Sequence, residues 1–329
     1  KDTLLFDPGK KISYCNTGYY ILGLIIEAVT NKTYENVLQE RIFKYLGMSN
    51  SGVETPNQII QNLAEGYTLY MGDYIIPHSI NMKTMTFSAG TIFSTVEDLF
   101  IWDKSFYSDK LLNAENRKLM CTKYLPNYGY GVAVNNMKNY LGTKKDVTLI
   151  SHDGGIGGFS SYMARIPEDS IFVVLLDNTR AGMRGNDLAG ISNNLLPILY
   201  GIKTELPRPV AYIELLRLIR ATSIDDGISQ FKKAVISNNE GFNFNGLENS
   251  LNTIGYNYIS NGELISAVKI LKLNTEQFPE SANAHDSLGE AYYKNKQMDV
   301  ALFHYKKSYQ LDPKNDNAKK MIEELSKKK

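Results

Sequence analysis

Residues 13–23 read Ser13-Tyr14-Cys15-Asn16-Thr17-Gly18-Tyr19-Tyr20-Ile21-Leu22-Gly23, and a turn signal, Asp7-Pro8-Gly9, stands just before them. From Thr17 to Thr30 the chain is an apolar run suited to a largely buried helix. Tyr14 and Asn16 therefore lie on a loop at the entrance of a helix, two residues apart, a spacing that lets both face one side. A phenol shuttles a proton and an amide orients a ligand. A free tyrosine has a pKa of about 10, so proton abstraction at neutral pH would need a nearby cation. A tyrosine packed at a helix start with an asparagine cap beside it is the plainer reading of the same residues, and this stretch alone leaves both open.

Downstream, Asn31-Lys32 breaks the helix, and Thr33 is placed as the N-cap of a second one that stops at Gly47. Residues 49–87 read as irregular. Ser94-Thr95-Val96-Glu97 has the spacing of a capping box opening a short helix through Asp98, Leu99 and Trp102. Val147–Ser151, Phe159–Ile166 and Ile171–Leu176 read as three antiparallel strands with the middle one buried, and a helix over Asp187–Tyr200 follows. Between the first two strands stands Ser151-His152-Asp153-Gly154-Gly155-Ile156-Gly157-Gly158-Phe159. Four glycines exceed what a tight hairpin alone requires. Glycine admits close approach of a ligand to the backbone, and free N–H groups at a strand end stabilise an oxyanion. A flexible hairpin bearing a surface histidine is the alternative. No phosphate loop is present, because neither glycine pattern of that class is satisfied.

Beyond Pro207 and Pro209 the chain reads as helix and short turn. Gly255 recurs as Gly289, Tyr258 as Tyr292, Ala267 as Ala301 and Pro279 as Pro313, each pair 34 residues apart. That period, with small residues where paired helices touch and proline after the second helix, resembles the tetratricopeptide repeat. Residues 315–327 read as a polar capping helix, and 210–238 as a degenerate further helical pair.

Composition narrows the function. The chain has 329 residues, 43% hydrophobic and 22% charged, enough for a large domain and a smaller one. A net charge of +1 makes no electrostatic case for nucleic acid or an anionic membrane. Cys15 and Cys121 are too few for a disulfide scaffold or a cysteine zinc site, and His78, His152, His285 and His304 show no ligand spacing. No metal and no cofactor are implied, and a glycosidase or metal hydrolase finds no support. The longest apolar stretch, Tyr19–Val29, contains Glu27 and is too short to span a bilayer. The first residue is Lys1 and no signal peptide is seen, which points to a processed product or a fragment.

Taken together, five blocks resemble the serine β-lactamase-like family of class C β-lactamases, low-molecular-weight penicillin-binding proteins, esterases and D-aminopeptidases. They are Pro8-Gly9 with Tyr14–Gly23, then Ile42-Phe43 with Leu46-Gly47-Met48, Ser88–Leu99, Tyr128-Gly129-Tyr130-Gly131, and His152–Gly155 with Gly158-Phe159. The resemblance implies an α+β class: a β-lactamase-like transpeptidase fold, antiparallel sheet flanked by helices, followed by an all-α tetratricopeptide domain. The expected division is 1–204 hydrolase domain, incomplete at its N-terminus, 205–240 helical linker and 241–329 repeats with a capping helix. By resemblance Tyr14 relays the proton, Asn16 orients the acyl side chain and the catalytic lysine, and His152 stands where many relatives have Lys, at the substrate's polar end. Gly154 keeps the strand open, the Gly155 N–H joins the oxyanion hole, and the Tyr128 block is a strand. Cys15 is more often Ser in the family. Asp153 adds a carboxylate beside His152 that would keep it protonated.

The family's nucleophile and lysine, S-x-x-K on a helix upstream of Y-x-N, have no counterpart in the thirteen residues before Tyr14. Ser229–Lys232, Ser266–Lys269 and Ser326–Lys329 fit the string but follow the third motif. The expectation is a C-terminal fragment of an extracytoplasmic serine hydrolase (periplasmic or cell-envelope) acting through an acyl-enzyme on D-amino-acid peptides, esters or β-lactams, inactive alone, with the sheet edge unpaired and the core half covered. Its partners would be a small-molecule or peptide substrate, with a protein partner at the repeats. The alternative is a non-catalytic binding module built on those repeats.

Overall fold

The computed structural model describes residues 4–55, 58–70, 73–75, 86–124, 127–180, 188–204 and 208–327. The chain divides into two compact units, one running as far as Pro207 and one comprising Arg208–Lys329 with two short earlier segments.

In the first unit, α1 (Asn16–Thr30) forms where the apolar run predicts it, but it is not buried. Of its residues, all described, only Gly23 is buried. Ile21, Leu22, Leu24 and Ile25 are about half exposed and Val29 is 77% exposed. The physical reason is that apolar residues stand on more of α1 than the turn at Phe87–Ala89 and the next helix cover. That turn docks closely: a Cβ at Gly23 would overlap Ser88, whose hydroxyl donates to the Tyr19 and Tyr20 carbonyls at 2.8 and 3.2 Å. Thr33 caps α2 (Tyr34–Leu38) by accepting from the Asn36 N–H, and the helix continues through a π-helical turn, Gln39–Phe43, to Leu46. Gly47, with φ +82°, ends it in the left-handed conformation that glycine adopts without strain. Tyr34, Leu38, Phe43, Met48 and Val53 form a core here with Phe87 and Trp102 against it.

The stretch read as irregular holds short strands, β1 (Gly52–Val53), β2 (Tyr67–Tyr70) and β3 (Asp73–Ile75). β1 pairs with β4 (Ile92–Phe93). The next helix, α3 (Val96–Ser105), is capped one residue later than the Ser94 capping box predicts: the Thr95 hydroxyl accepts from the Asp98 N–H. Ser94 is otherwise engaged, 2.7 Å from the Ser51 hydroxyl, and Ser51 donates to the buried Asp98 carboxylate at 2.8 Å. α4 (Ala114–Met120) follows, capped by Asn113.

The main sheet has four strands in the order β5 (Ala133–Met137), β6 (Val147–Ile156), β7 (Phe159–Ile166) and β8 (Ile171–Asp177), all antiparallel. The three predicted strands are present, with β7 buried between neighbours, and β5 adds one that the sequence reading missed. The Tyr128–Gly131 block is a turn rather than a strand: Tyr128 makes an isolated bridge with Ala133, and Gly131, at φ +77°, reverses the chain into β5. Leu149, Tyr162, Ala164 and Ile166 pack on one face against Leu188 and Leu196 of α5 (Leu188–Leu199). The predicted start of that helix, Asp187, lies outside the described residues. A short strand, β9 (Thr179–Arg180), pairs in parallel with β2.

In the second unit, α6 (Ala211–Ala221) and α7 (Ile224–Ala234) precede two helical pairs, α8 (Leu247–Ser260) with α9 (Leu264–Gln277) and α10 (Ala282–Lys294) with α11 (Met298–Leu311), and then α12 (Asp316–Lys327). The repeat positions are where the helices meet. Ala267 and Ala301 are fully buried, a Cβ at Gly255 would overlap Leu271, and one at Gly289 would stand 3.1 Å from the Tyr305 ring. Residues 211–235 share the core of the first repeat through Leu215 and Phe231. Among the described residues no helix is long and apolar enough to cross a membrane.

Candidate active site

The site is built at the end of β6 and the start of α1. Two of the four glycines make the hairpin itself: Gly157 and Gly158, at φ +54° and +90°, form the two-residue turn between the paired Ile156 and Phe159. Gly154 and Gly155 remain inside β6, exposed, opposite Ser161 and Ser160. In such a hairpin the pair closing the turn is hydrogen bonded, and bonding alternates along the ladder. The N–H groups of Asp153 and Gly155 therefore point away from β7. On that outer side the register with β5 stops at Ala133↔Ser151, so no strand of this sheet covers them. A Cβ at Gly154 would come within 2.6 Å of the Ser161 hydroxyl, which would have to rotate away.

His152 lies at the same edge. Its Nε2 is 2.6 Å from the Tyr128 hydroxyl and its Nδ1 is 2.6 Å from the Asp153 carbonyl oxygen. Tyr19 donates to the Tyr128 hydroxyl at 3.4 Å, which leaves the Tyr128 proton for His152 Nε2. His152 then carries its ring proton on Nδ1 and donates it to the Asp153 carbonyl. The expected carboxylate contact is corrected here: Asp153 meets His152 through its backbone carbonyl, because successive side chains of a strand point to opposite faces. The Tyr14 ring stands 6.1 Å from His152, 6.2 Å from Tyr128 and 5.7 Å from Tyr19. Burial raises the Tyr128 hydroxyl far above the ordinary tyrosine value, reinforced by the Tyr19 hydrogen bond and the neighbouring Tyr14 and Asp153. Tyr14 is raised too, by burial first and then by Tyr19 and Asp153.

Of the predicted residues, the structure brings together Tyr14 and His152, with Gly154 and Gly155 on the strand that carries His152. Asn16 opens α1, exposed, two residues from Tyr14; Cys15 holds the N-cap position, and no side chain caps that end. Sequence reading missed Tyr128 and Tyr19 as members of the cluster. Both stood inside quoted blocks, but nothing in their spacing tied either to His152. The S-x-x-K serines lie in the second unit. There Lys232 is paired with Glu276, and Lys269 meets Asp225 at 2.6 Å; Lys329 lies outside the described residues.

Three relatives share this region. A penicillin-binding protein of Bacillus subtilis (strain 168) is 25% identical over 190 residues, covering 53% of this chain and 41% of its own. Protein flp of Staphylococcus aureus (strain N315) is 28% identical over 185 residues, covering 54% and 35%. The solved structure of the octameric penicillin-binding protein homologue from Pyrococcus abyssi superposes with a TM-score of 0.51 at 28% identity, covering 66% of this chain and 48% of that one. The chain thus spans less than half the length of each. The tetratricopeptide repeat family matches residues 282–315. The Beta-lactamase family matches residues 1–192, more than half of the sequence, and the chain belongs to that family.

Proposed function

We propose that this chain carries the proton-relay edge of a serine hydrolase working by acyl transfer on D-amino-acid peptides, esters or β-lactams. The observation that supports it is the convergence of Tyr14, Tyr128 and His152 on a strand edge where the Gly155 N–H is uncovered. Tyr14 serves as a protonated phenol that hands its proton to a leaving group, since burial and its neighbours Tyr19 and Asp153 all favour the phenol. The Asn16 amide orients the acyl side chain, His152 meets the substrate's polar end, Gly154 leaves room along the strand, and the Gly155 N–H donates to the developing oxyanion. On this reading residues 1–329 alone form no acyl-enzyme: their S-x-x-K strings all follow the third motif, and Lys232 and Lys269 are held in ion pairs.

The test is binding of N-acetyl-D-alanyl-D-alanine by calorimetry together with labelling by a fluorescent penicillin. The expectation is saturable binding weakened at least about tenfold in Tyr14→Phe and His152→Ala, equivalent to about 1.4 kcal/mol, with no covalent label. Equal affinity in wild type and both variants would overturn the site; stoichiometric label would overturn the statement on the nucleophile.

The repeat match favours a second reading, in which the helical unit binds a protein partner. Removing Arg208–Lys329 would then abolish capture of that partner and leave ligand binding intact. As part of the same proposal the protein works outside the cytoplasm, periplasmic or on the cell envelope, a reading supported only by the family resemblance. Fractionation of cells making the native protein checks this.

A further inference from the structure

Ladder partners share a face and side chains alternate, so Ile150, His152, Met163, Arg165 and Phe172 all lie on the sheet face opposite α5. Between that face and Trp102 of α3 is a recess with about 450 Å³ of empty space, its open mouth included. His152 lines it, so the recess begins at the ring that Tyr14 and Tyr128 approach. Met120, Val132 and Met163 give it apolar walls. Arg165, only 9% exposed, also lines it. The Arg165 Nε lies 3.3 Å from an Asp103 carboxylate oxygen, without the alignment of a hydrogen bond, and the guanidinium is covered by the rings of Phe106 and Tyr107 at 4.7 and 4.9 Å. Asp103 already neutralises this arginine. With the arginine's charge already offset by Asp103, a third charge brought in from water gains little net attraction against its desolvation. An uncharged apolar group loses nothing on entry and gains by leaving water.

We propose that this recess is a specificity pocket that seats an uncharged, apolar side chain of a ligand whose polar part lies along His152, Gly154 and Gly155. The proposal rests on the reading of that edge as the ligand-binding edge given under Proposed function, and it adds the chemistry of the side chain selected. Trp102, Met163 and Val132 are its specificity-determining residues.

Trp102 is the single tryptophan of the chain and lines the recess, so its fluorescence reports occupancy. The whole chain is titrated with N-acetyl-D-phenylalaninamide, N-acetyl-D-alaninamide and N-acetyl-D-glutamate. A saturable change is expected with the phenylalanine probe at an affinity at least about tenfold above the alanine probe, from burial of the benzyl group, with glutamate no tighter than alanine. Val132→Phe, which fills the recess, is expected to lower affinity for the aromatic probe about tenfold and leave the alanine probe unchanged. Equal affinity for all three probes overturns the pocket, and so does a Val132→Phe protein of native circular dichroism that binds the aromatic probe like wild type. The probe series needs no variant, so a misfolded Val132→Phe does not rescue the proposal. NMR signals of the His152 ring in the same titration report the edge separately. If Trp102 responds and His152 does not, the pocket stands and the reading of the edge falls. If His152 responds to every probe and Trp102 to none, the pocket falls and the edge stands.

Discussion

Tyr128 holds His152 Nε2 by one hydrogen bond of 2.6 Å, while the Asp153 carbonyl, which can only accept, keeps the imidazole proton on Nδ1. Tyr128→Phe leaves Nε2 without its donor. The expected cost is about 1 kcal/mol of stability in urea denaturation, with a change in the ¹⁵N signals of the His152 ring. An unchanged His152 spectrum would show that the tyrosine does not bond Nε2 in solution. The two cysteines differ for an equally local reason. Hydrogen bonds from the Gly18 N–H, and then from the Thr17 side chain and N–H, lower the pKa of the exposed Cys15 thiol, whereas burial raises that of Cys121 and nearby Arg165 only partly offsets it. Since the thiolate is the reactive form, Cys15 is expected to react with Ellman's reagent first at pH 7.5, and Cys15→Ser to remove the fast phase. Faster reaction of Cys121 would contradict this. The identities of Tyr14, Asn16 and His152 as residues of interest were legible in short motifs. The Tyr128–His152 bond was not, because its partners are 24 residues apart and meet only through the turn into β5.

Among elements, the helical repeats make the sharpest predictions. Gly255 and Gly289 occupy equivalent positions, yet a Cβ at Gly255 would overlap Leu271, whereas one at Gly289 would stand 3.1–3.2 Å from the Tyr305 ring. Gly255→Ala is therefore expected to lose about 1–3 kcal/mol by overpacking. Gly289→Ala should be near neutral, since the helix propensity of alanine, about 1 kcal/mol, offsets a small ring shift. Thermal unfolding of the two variants checks the order. Between α10 and α11, His285 donates from Nε2 to the Pro279 carbonyl at 3.1 Å, so its Nδ1 accepts from His304 Nδ1 at 3.0 Å. Tyr292 stacks on His304, Phe303 meets it edge-on, and Lys307 with Glu280 faces His285. Burial depresses both histidines, and proximity to His285 helps bring His304 down to about 4. A folded pKa below the unfolded value of about 6.5 gives stability that is complete above that value and lost as pH falls towards 4. The loss expected by pH 4 is on the order of 3 kcal/mol, and His304→Leu should flatten it. Denaturation midpoints at pH 7.5, 6 and 4.5 read this, and a wild-type midpoint that does not fall across that range would refute it.

For the molecule as a whole, the exposed apolar surface of α1 dominates behaviour in solution. Leu22, Ile25 and Val29 stand 49–77% exposed on one helix, a contiguous surface of the kind that binds hydrophobic dyes and drives self-association. The chain is expected to bind anilinonaphthalene sulfonate in its native state, and Leu22→Lys with Ile25→Glu to lower that signal without loss of helicity. A wild-type chain that binds no dye and sediments as a monomer at all concentrations would contradict this. The α+β class, the strands β6–β8, the helical array and its 34-residue period were legible in local sequence, because periodicity, turn residues and recurring small residues act over a few neighbours at a time. The family was legible there too, since its motifs are local strings. Which apolar residues are covered was settled only by the fold, for a mostly apolar helix reads the same whether one side or several are packed. The fold also decided that Thr95 rather than Ser94 caps α3, because Ser51, more than forty residues away, competes for Ser94. Finally, it is the fold that brings Tyr128 to Tyr14 and His152, because the distances within such a side-chain cluster are set by ladder register and chain reversal, which no local pattern encodes.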